Sequence, residues 1–487
     1  MAMSVNNDDI QRGAQQFARW LDARGIATRA VVAALLPNIP EFLIVLRGST
    51  WSGRSFTPIN WHLVEDDIAY ILQNSESCAI VLHSDFANLL PIIHQHIPEQ
   101  HCLLVGDNFS QTLAGFSDAA LAEPLAGNIM MYTSGTTGRP KGVKPRAMAD
   151  HPPPCFASQM GSMMLSSSLP DNARGNHLVA APLYHAAPST YAEGAALLGA
   201  RLTIMAKWDA EAFLQLVESE RIVSTFLVPT QIVRLVQLPD AIKQRYDTRS
   251  LQLICHGAAP IAQSIKQQAI DWLGPILFEF YGGTEGGGVS ISAQEWLEHP
   301  GSVGKPRPGL EVFILDSDGK PCPTGTAGDV YFLSGDASFE YKDDPEKTSD
   351  SYRGNKYTLG DIGYLDADGY LYLCDRKADT IISGGVNIYP AQIEAVLLEH
   401  PSVHDCCVVG IHDEEWGERV LAVVQLNDRT EQPSTRNSIQ LLCEQRLARF
   451  QQPADIVFSD TLPRTEAGKL QRRKVRDQYR QMNKTRQ

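Results

Sequence analysis

Apolar segments of strand length alternate with longer segments of helical pattern through the first hundred residues. The chain reads RAVVAALLP, then IPEFLIVLRGSTWSG, then SFTPIN, which predicts a strand, a helix and a strand. The same order continues through LVEDDIAYILQNS, CAIVLH and HCLLVG. A second stretch, from Leu178 to Phe280, contains the helix DAEAFLQLVESERI and the strands VSTFLV and LQLICHG. Strands separated by helices of this length predict crossover connections and buried, mostly parallel sheets in an α/β fold.

The pattern changes between Gly301 and Cys374. Short alternating segments such as LEVFILD, GDVYFLSG and YLYLC are separated by Gly, Asp and Pro turns, which predicts antiparallel strands. After DRKADTIISGG the chain returns to a helix and a strand in AQIEAVLLEHPSVHDCCVVGI. We therefore predict a large amino-terminal domain over 1–375 and a smaller α+β domain over 376–487.

The composition is that of an ordinary globular enzyme, with 43% hydrophobic and 20% charged residues. A net charge of −14 argues against a nucleic-acid partner but is compatible with a local pocket for a small phosphate compound. The polar start MAMSVNNDDIQRGAQQ has no signal-peptide pattern, and the apolar stretches are too short to span a bilayer. Nine cysteines without C-x-x-C spacing predict buried reduced thiols, so we expect a cytoplasmic protein.

The segment YTSGTTGRPKG, Tyr132 to Gly142, cannot contribute to a hydrophobic core. It follows the apolar NIMMY, which predicts a position at the carboxyl end of a strand, where open α/β sheets bind ligands. Its glycines allow close approach to an anion, its hydroxyl and N–H groups can donate to phosphate oxygens, and Arg139 and Lys141 can balance the charge. A mobile surface turn is the alternative from composition alone. A GxxxxGKS/T P-loop is excluded, because Gly142 follows Lys141.

The same segment is similar to the phosphate-binding signature of the acyl-adenylate-forming enzymes, which include acyl-CoA synthetases, amino-acid adenylation domains and firefly luciferases. Three more segments, FYGGTEGGG, YTLGDIGYLDADGYLYLCDRKADTIISGGVNIYP and PRTEAGKLQRRKVR, follow in the order of that family. The resemblance implies an AMP-binding domain of two packed α/β sheets plus a small β-barrel-like part, followed by a mobile carboxyl-terminal domain. It implies ATP, Mg²⁺ and coenzyme A as cofactors. Nucleotide contacts are implied for Thr133, Ser134, Gly135, Thr136, Thr137, Gly138 and Lys141.

The segment FYGGTEGGG is implied to surround the reacting phosphate. By resemblance, Tyr281 packs on the adenine, Thr284 lies against the substrate carboxylate and the α-phosphate, and Glu285 approaches the magnesium ion. A hard cation prefers carboxylate oxygen, which agrees with a glutamate at this position. Glycines Gly282 and Gly283 leave room for a nucleotide and an acyl group.

Three charged positions of the family complete the nucleotide site. By resemblance, Asp361 accepts hydrogen bonds from both ribose hydroxyls, and Arg376 also reaches the ribose. An acceptor-only carboxylate suits a vicinal diol. Lys469, near the carboxyl terminus, is implied to meet the substrate carboxylate and the α-phosphate, where a cation lowers the barrier to adenylation.

Further motifs are implied to line the acyl and adenine pockets. PLYHAAP resembles a segment whose histidine or aromatic residue borders the carboxylate end of the acyl pocket, which makes His185 the corresponding residue. HGAAP resembles a strand end beside the adenine, with backbone contacts from Gly257 and Ala258. The neighbour of His185 is Ala186, whereas amino-acid adenylation domains place an aspartate there.

The junction between the two predicted domains departs from the family. Family members have Asp or Lys at the pivot, and this chain has Ala378, so the contacts that stabilise each orientation have to come from elsewhere. The resemblance implies that rotation about this position withdraws Lys469 and brings Gly384 and Gly385 to the site, where they leave space for pantetheine. The short amino terminus also departs from many relatives, which leaves the choice between a monomer and a homodimer open.

The predicted function is that of an AMP-forming acyl-CoA ligase. A carboxylate attacks the α-phosphorus of ATP, pyrophosphate leaves, and the thiol of coenzyme A then takes the acyl group. The small residues of the motifs and the absence of an evident cation for a second carboxylate favour an apolar acid, either a fatty acid or a bulky aryl or polycyclic one. Two alternatives remain, namely an adenylating enzyme that loads a carrier protein in trans and a non-catalytic acyl or nucleotide sensor.

Overall fold

The computed structural model describes residues 2–106, 108–133, 139–145, 150–169, 175–334, 339–427, 433–464 and 470–484. The strands are β1 (Ala2–Val5), β2 (Val31–Leu35), β3 (Ser55–Pro58), β4 (Ser77–His83), β5 (Cys102–Val105), β6 (Met131–Thr133), β7 (Lys141–Pro145), β8 (Asn176–Val179), β9 (Leu202–Met205), β10 (Ile222–Leu227), β11 (Leu253–Gly257), β12 (Leu277–Gly283), β13 (Gly286–Ser292), β14 (Lys305–Pro306), β15 (Leu310–Leu315), β16 (Gly328–Ser334), β17 (Phe339–Tyr341), β18 (Tyr352–Arg353), β19 (Lys356–Leu365), β20 (Leu371–Arg376), β21 (Ile381–Ser383), β22 (Val386–Ile388), β23 (Val403–Asp413), β24 (Gly417–Leu426) and β25 (Asp455–Phe458).

The helices lie between these strands and on their faces. They are α1 (Asn7–Ala23), α2 (Pro40–Trp51), α3 (Glu65–Asn74), α4 (Leu90–Ile93), α5 (Phe109–Ala114), α6 (Phe156–Ser168), α7 (Ala186–Leu197), α8 (Ala210–Ser219), α9 (Pro229–Val236), α10 (Asp240–Lys243), α11 (Gln263–Leu273), α12 (Ala293–Glu298), α13 (Pro345–Asp350), α14 (Pro390–Leu397), α15 (Pro433–Arg446) and α16 (Arg472–Lys484). None of the described helices is both long and apolar enough to cross a membrane.

Two sheets contain the strands that alternate with helices. The eight-stranded sheet has the order β1-β9-β8-β10-β11-β12-β13-β14, and the four-stranded sheet has the order β3-β2-β4-β5. Strands β8 to β12 pair in parallel with one another, as do β2 to β5, whereas β1, β13 and β14 are antiparallel. These pairings confirm the predicted α/β fold with mostly parallel sheets. The nucleotide-motif residue Tyr281 therefore lies near the carboxyl end of the last parallel strand, β12.

The amino-terminal segment contains two elements that its polar composition did not indicate. Strand β1 pairs antiparallel with β9 at the edge of the eight-stranded sheet. The side chain of Asn6 accepts a hydrogen bond from the backbone N–H of Asp9 at 2.8 Å, which caps the start of α1. One face of α1 buries Ile10, Phe17 and Leu21, and exposed polar residues such as Asp8 and Arg12 lie on the other face.

The region from β15 to β20 is antiparallel, as predicted. Its strands follow the order β15-β16-β19-β18, and β20 pairs with β19. A separate three-stranded sheet has the order β17-β7-β6. Strand β6 holds the apolar residues before the predicted phosphate loop, so the loop does follow a strand. The expectation that this strand belongs to an open α/β sheet is wrong, because β6 and β7 pair antiparallel on the two sides of the loop.

The carboxyl-terminal part has its own sheet and core. The sheet order is β22-β21-β24-β23, and β25 pairs with β24 in parallel. Helices α14 and α15 cover a cluster that includes Ile393, Leu397, Val408 and Ile439. We retain the boundary between residues 375 and 376 as a proposal, since this cluster contains only residues from 381 onwards.

A buried ion pair joins two helices of the large part. Arg47 of α2 donates through Nε and Nη2 to the two carboxylate oxygens of Glu193 in α7, at 2.8 and 3.1 Å. Both side chains are at most 1% exposed. Such a bidentate contact restricts the orientation of both helices, and α7 begins directly after the site residue His185.

The cysteines agree only in part with the prediction of buried thiols. Six are buried, Cys102 and Cys322 are half-buried, and Cys78 is exposed. Burial raises the pKa of Cys374 to about 11 and that of Cys255 to about 12, which keeps these thiols protonated at neutral pH.

Candidate active site

The Asp361 carboxylate has two predicted site residues as partners. The hydroxyl of Tyr281 donates to one of its oxygens at 2.5 Å, and Nε of Arg376 lies 2.9 Å from the other. Asp361 and Arg376 face each other in the register of β19 and β20, so the ladder itself sets their separation. The Asp361 side chain is 7% exposed, and that of Arg376 is 50% exposed. The structure thus brings together the three residues that the resemblance assigned to adenine and ribose.

Burial and the charge of Asp361 raise the pKa of Tyr281 well above its usual value. The Tyr281 hydroxyl therefore remains protonated and acts as a donor. Arg376 also donates to the backbone carbonyl of Leu359 at 2.8 Å, which holds its guanidinium beside the carboxylate. A ribose diol that binds Asp361 has to share this carboxylate with Tyr281 and Arg376, or replace them.

Thr284 and Glu285 form the turn between β12 and β13. Oε1 of Glu285 accepts a hydrogen bond from the Tyr341 hydroxyl at 2.7 Å. Burial, followed by the charge of Glu285, raises the pKa of Tyr341. Glu285 thus offers one carboxylate at the open end of the hairpin. This arrangement fits magnesium, since the ion commonly binds one or two carboxylates and completes its shell with substrate phosphates and water.

The two ends of the predicted phosphate loop lie on neighbouring strands. Thr133 ends β6 and Lys141 begins β7, and the two residues are paired in the ladder. Nζ of Lys141 is 2.5 Å from Oδ2 of Asp344. Five predicted contacts, Ser134, Gly135, Thr136, Thr137 and Gly138, lie outside the described residues.

The predicted adenine wall lies one strand away from Tyr281. Gly257 is paired with Phe280 across β11 and β12, and a Cβ atom on Gly257 would lie 2.3 Å from the Phe280 carbonyl oxygen. Only glycine permits this approach. Ala258 follows with φ of +69°, a left-handed conformation that is uncommon for alanine. The chain therefore turns sharply where the resemblance implies backbone contacts with adenine.

His185 belongs to a different group of side chains. It is the residue before α7, and its ring centroid is 4.6 Å from that of Tyr184. The Tyr184 ring in turn lies 6.4 Å from His62, which contacts Trp61 at 3.3 Å. This aromatic row agrees with a wall of an apolar pocket, and the role of His185 as a gate stays a prediction.

The structure does not bring the predicted coenzyme A segment to the nucleotide site. Gly384 and Gly385 form the turn between β21 and β22 and are exposed. The Gly384 N–H donates to the Trp416 carbonyl at 2.8 Å, and a Cβ atom on Gly384 would lie 2.6 Å from the Trp416 ring. The described neighbour of this turn is thus Trp416 of the small domain, and a Cβ atom on Gly385 would meet nothing within 4 Å.

Lys469 lies outside the described residues, but the chain on both sides of it is described. Arg464 and Leu470 form a β-bridge, and the Gln471 N–H donates to the Pro463 carbonyl at 2.8 Å. Arg464 pairs with Asp405 at 2.6 Å. The described residues on the two sides of Lys469 are therefore paired with each other, and Arg464 joins them to β23.

Sequence reasoning missed an ion-pair cluster around the predicted pivot. Arg472 lies 3.7 Å from Asp375, 3.2 Å from Asp379 and 2.5 Å from Glu394. Burial opposes the charge of Arg472, but these three carboxylates together raise its pKa. Asp375 also accepts a hydrogen bond from the Ala391 N–H at 2.7 Å. The proximity of Arg472 to Lys469 in sequence was the available signal, but its partners depend on the fold.

His256 is a buried group beside the adenine wall. Its side chain is fully buried, and neither ring nitrogen has a hydrogen-bond partner among the described residues. Burial is the main reason that its pKa falls to about 4; Lys266 also lowers it, while Glu279 raises it. Lys266 and Glu279 form a buried pair at 2.5 Å.

The comparisons with known proteins agree over nearly the whole chain. The profile of the family described as AMP-binding enzyme matches residues 5–339, and that of the AMP-binding enzyme C-terminal domain matches residues 392–469. The long-chain-fatty-acid–CoA ligase FadD13 of Mycobacterium tuberculosis is 31% identical over 96% of this chain and 91% of its own length. The fatty acid–acyl-carrier-protein ligase ScoC of Streptomyces coeruleorubidus is 29% identical over 98% of this chain and 92% of its own length. The crystal structure of ATP-bound MatB from Rhodopseudomonas palustris has a TM-score of 0.84 and 27% identity, and covers 97% of this chain and 93% of MatB.

The buried imidazole of His256 leads to a prediction about pH. Its folded pKa of about 4 lies below the ordinary value of 6.5, so the unfolded chain binds the proton more readily. Stability from this group is present above pH 6.5 and is lost as the pH falls towards 4. Between pH 7 and pH 5, His256 should contribute a loss of about 2 kcal/mol in the free energy of unfolding. Urea unfolding of the wild type and His256→Gln at both pH values measures this difference, and equal pH dependence of the two proteins would contradict it.

Proposed function

The chain belongs to the AMP-binding enzyme family, and from this we propose that it is an ATP-dependent acyl-CoA ligase that forms an acyl-adenylate and then a coenzyme A thioester. The observation that carries the proposal is that Tyr281 and Arg376 both contact the carboxylate of Asp361. The charges of Arg376, Glu285 and Lys141 all act on the same neighbouring lysine, Lys347, so these residues belong to one charged region. Asp361 supplies an acceptor for a ribose, and the neighbouring charged groups suit phosphates and a metal ion.

In the first half-reaction, an oxygen of the substrate carboxylate forms a bond to the α-phosphorus of ATP. The bond from the α-phosphorus to the bridging oxygen breaks, and pyrophosphate leaves with the electron pair. We assign Asp361, Arg376 and Tyr281 to the nucleoside, with Gly257 and Ala258 against the adenine. Magnesium held by Glu285 would supply charge neutralisation at the phosphates. The remaining contribution of the protein is positioning and electrostatic stabilisation.

In the second half-reaction, the thiol of coenzyme A loses its proton to solvent and its sulfur bonds to the acyl carbonyl carbon. AMP leaves with the electron pair of the anhydride oxygen. We propose that the small domain rotates about Ala378 between the two steps. Since Gly384 and Gly385 are exposed, we assign the present orientation to the first half-reaction. Rotation then exchanges the segment of Lys469 for the turn at Gly384, which is an ordinary role for domain motion.

We propose an apolar carboxylic acid as substrate, which would place the enzyme in fatty-acid or related lipid metabolism, and a cytoplasmic location. The aromatic row from His185 to Trp61 supports an apolar pocket wall. Relatives include the fatty-acid ligase named above and an indoleacetate–CoA ligase of Aromatoleum aromaticum. ScoC supports carrier loading as a second candidate, because its name gives an acyl-carrier protein as acceptor.

Pyrophosphate release tests the proposed function. The purified protein is incubated with ATP, magnesium and a panel of fatty, aryl and polycyclic acids, each with and without coenzyme A, and thioesters are detected by mass. Formation of a thioester supports the ligase. Pyrophosphate release without a thioester favours carrier loading, and absence of turnover with every acid favours a sensor.

Lys469→Ala should separate the two half-reactions. Removal of the cation should lower adenylation by about 100-fold or more, because it deprives the transition state of a positioned charge. Thioester formation from preformed acyl-adenylate and coenzyme A should be retained. The matched control is Lys474→Ala, an exposed lysine of α16 that should leave both rates unchanged. Equal loss in both half-reactions would contradict the assignment of Lys469.

Asp375→Ala should change the balance between the half-reactions. Asp375 lies before the pivot, whereas its partners Ala391 and Arg472 lie after it, so these contacts belong to the present orientation. Their loss should lower the first half-reaction relative to the second by about tenfold, the size expected for a hydrogen bond to a charged group. Single-turnover rates measure both steps, with the exposed Asp368→Ala as control. An unchanged ratio would show that Asp375 has no part in domain orientation.

A further inference from the structure

Lys347 is a positively charged residue close to the candidate active site, and it lies in none of the sequence motifs. It lies in α13, is half-buried, and has its Nζ 4.6 Å from the centroid of the Tyr341 ring. Among the described residues, no carboxylate oxygen lies within ion-pair distance of this ammonium group. Half-buried lysines ordinarily acquire a carboxylate partner or extend to solvent, so this placement needs an explanation.

The neighbouring carboxylate of Asp344 already has other partners. Oδ1 of Asp344 caps α13 by accepting from the Lys347 backbone N–H at 3.0 Å, and its other oxygen, Oδ2, pairs with Lys141 at 2.5 Å. The Tyr341 ring beneath Lys347 donates its hydroxyl to Glu285 at 2.7 Å. Lys347 therefore lies beside the two residues proposed for phosphate and metal binding, and neither of their carboxylate partners neutralises it.

The electrostatics of the free protein are unfavourable for this cation. Burial lowers the pKa of Lys347, and the positive charges of Lys141 and Arg376 lower it further, against opposing contributions from Glu285 and Asp344. A cation crowded by other cations gains when an anion binds between them. Phosphate oxygens suit this role, because lysine binds them as a point charge.

We propose that Lys347 binds the β- and γ-phosphates of ATP and stabilises pyrophosphate as it leaves. This inference rests on the proposed adenylation. As the bond from the α-phosphorus to the bridging oxygen breaks, its electron pair stays on that oxygen and negative charge grows on pyrophosphate. The Lys347 ammonium neutralises part of this charge without transferring a proton. Asp361, Tyr281 and Arg376 hold the opposite, nucleoside end of the same ligand.

Binding of ATP and AMP to the free enzyme tests this assignment without knowledge of the acid. AMP lacks the β- and γ-phosphates, so a lysine that contacts them affects ATP alone. Calorimetry with magnesium should give a Kd for ATP about tenfold higher for Lys347→Met than for the wild type, and an unchanged Kd for AMP. Lys347→Arg retains the charge and should bind ATP more tightly than Lys347→Met.

Lys342→Met is the matched control. Lys342 precedes α13 in the same connection but pairs with Glu76 at 3.1 Å and Asp343 at 3.3 Å. Its charge is already satisfied, and its removal should change neither affinity by more than about twofold. Thermal unfolding of all variants provides the measure of structural damage.

Three outcomes overturn the role of Lys347. These are unchanged ATP affinity in Lys347→Met, equal weakening of ATP and AMP, and an equal effect of Lys342→Met. Failure of the proposed function gives a different result, since wild-type protein would then bind ATP without releasing pyrophosphate with any acid.

Discussion

The carboxylate of Asp361 is the contact on which the arrangement of the site depends. A carboxylate that is 7% exposed has to be paired, and its partners come from two different sheets. Tyr281 reaches it from the end of the parallel strands, and Arg376 reaches it from the strand that leads into the small domain. The residues proposed to bind the nucleoside are thereby connected to the start of the segment that joins the two domains. A shift of one sheet relative to the other would separate Tyr281 from Asp361 and Arg376, which together are proposed to bind the ribose.

Much of the fold was predictable because its signals are local. Buried parallel strands such as β2 and β4 are continuous apolar runs, and helices such as α8 have amphipathic periodicity. The elements that were missed depend on contacts distant in sequence. Strand β1 has only four residues and is defined by its pairing with β9. The sheet that contains β6 and β7 was assigned to the wrong type, and its third strand, β17, which pairs with β7, lies nearly two hundred residues further along the chain.

The candidate site divides in the same way. Tyr281, Asp361 and Arg376 were identified because each lies in a motif, and the β19–β20 ladder places two of them opposite each other. The sequence did not identify Tyr341, Lys347 and Arg472. Tyr341 and Lys347 lie in no recognised motif, and the roles of all three residues depend on partners in other elements. The pivot residue Ala378, which has no charge where relatives have Asp or Lys, shows the same division. The sequence indicated that compensation was required, and the fold shows Arg472 among carboxylates on both sides of the pivot.

The uneven burial of the thiols has a practical use in spectroscopy. Cys78 is exposed in the large part of the chain, whereas Cys406, Cys407 and Cys443 of the small domain are buried and have raised pKa values. Alkylating dyes react with accessible thiolates, so a fluorophore attaches preferentially at Cys78. One additional cysteine on an exposed face of α16 would then supply the second position for a donor and acceptor pair. Energy transfer between them would report the rotation of the small domain during turnover, with the native cysteines left in place.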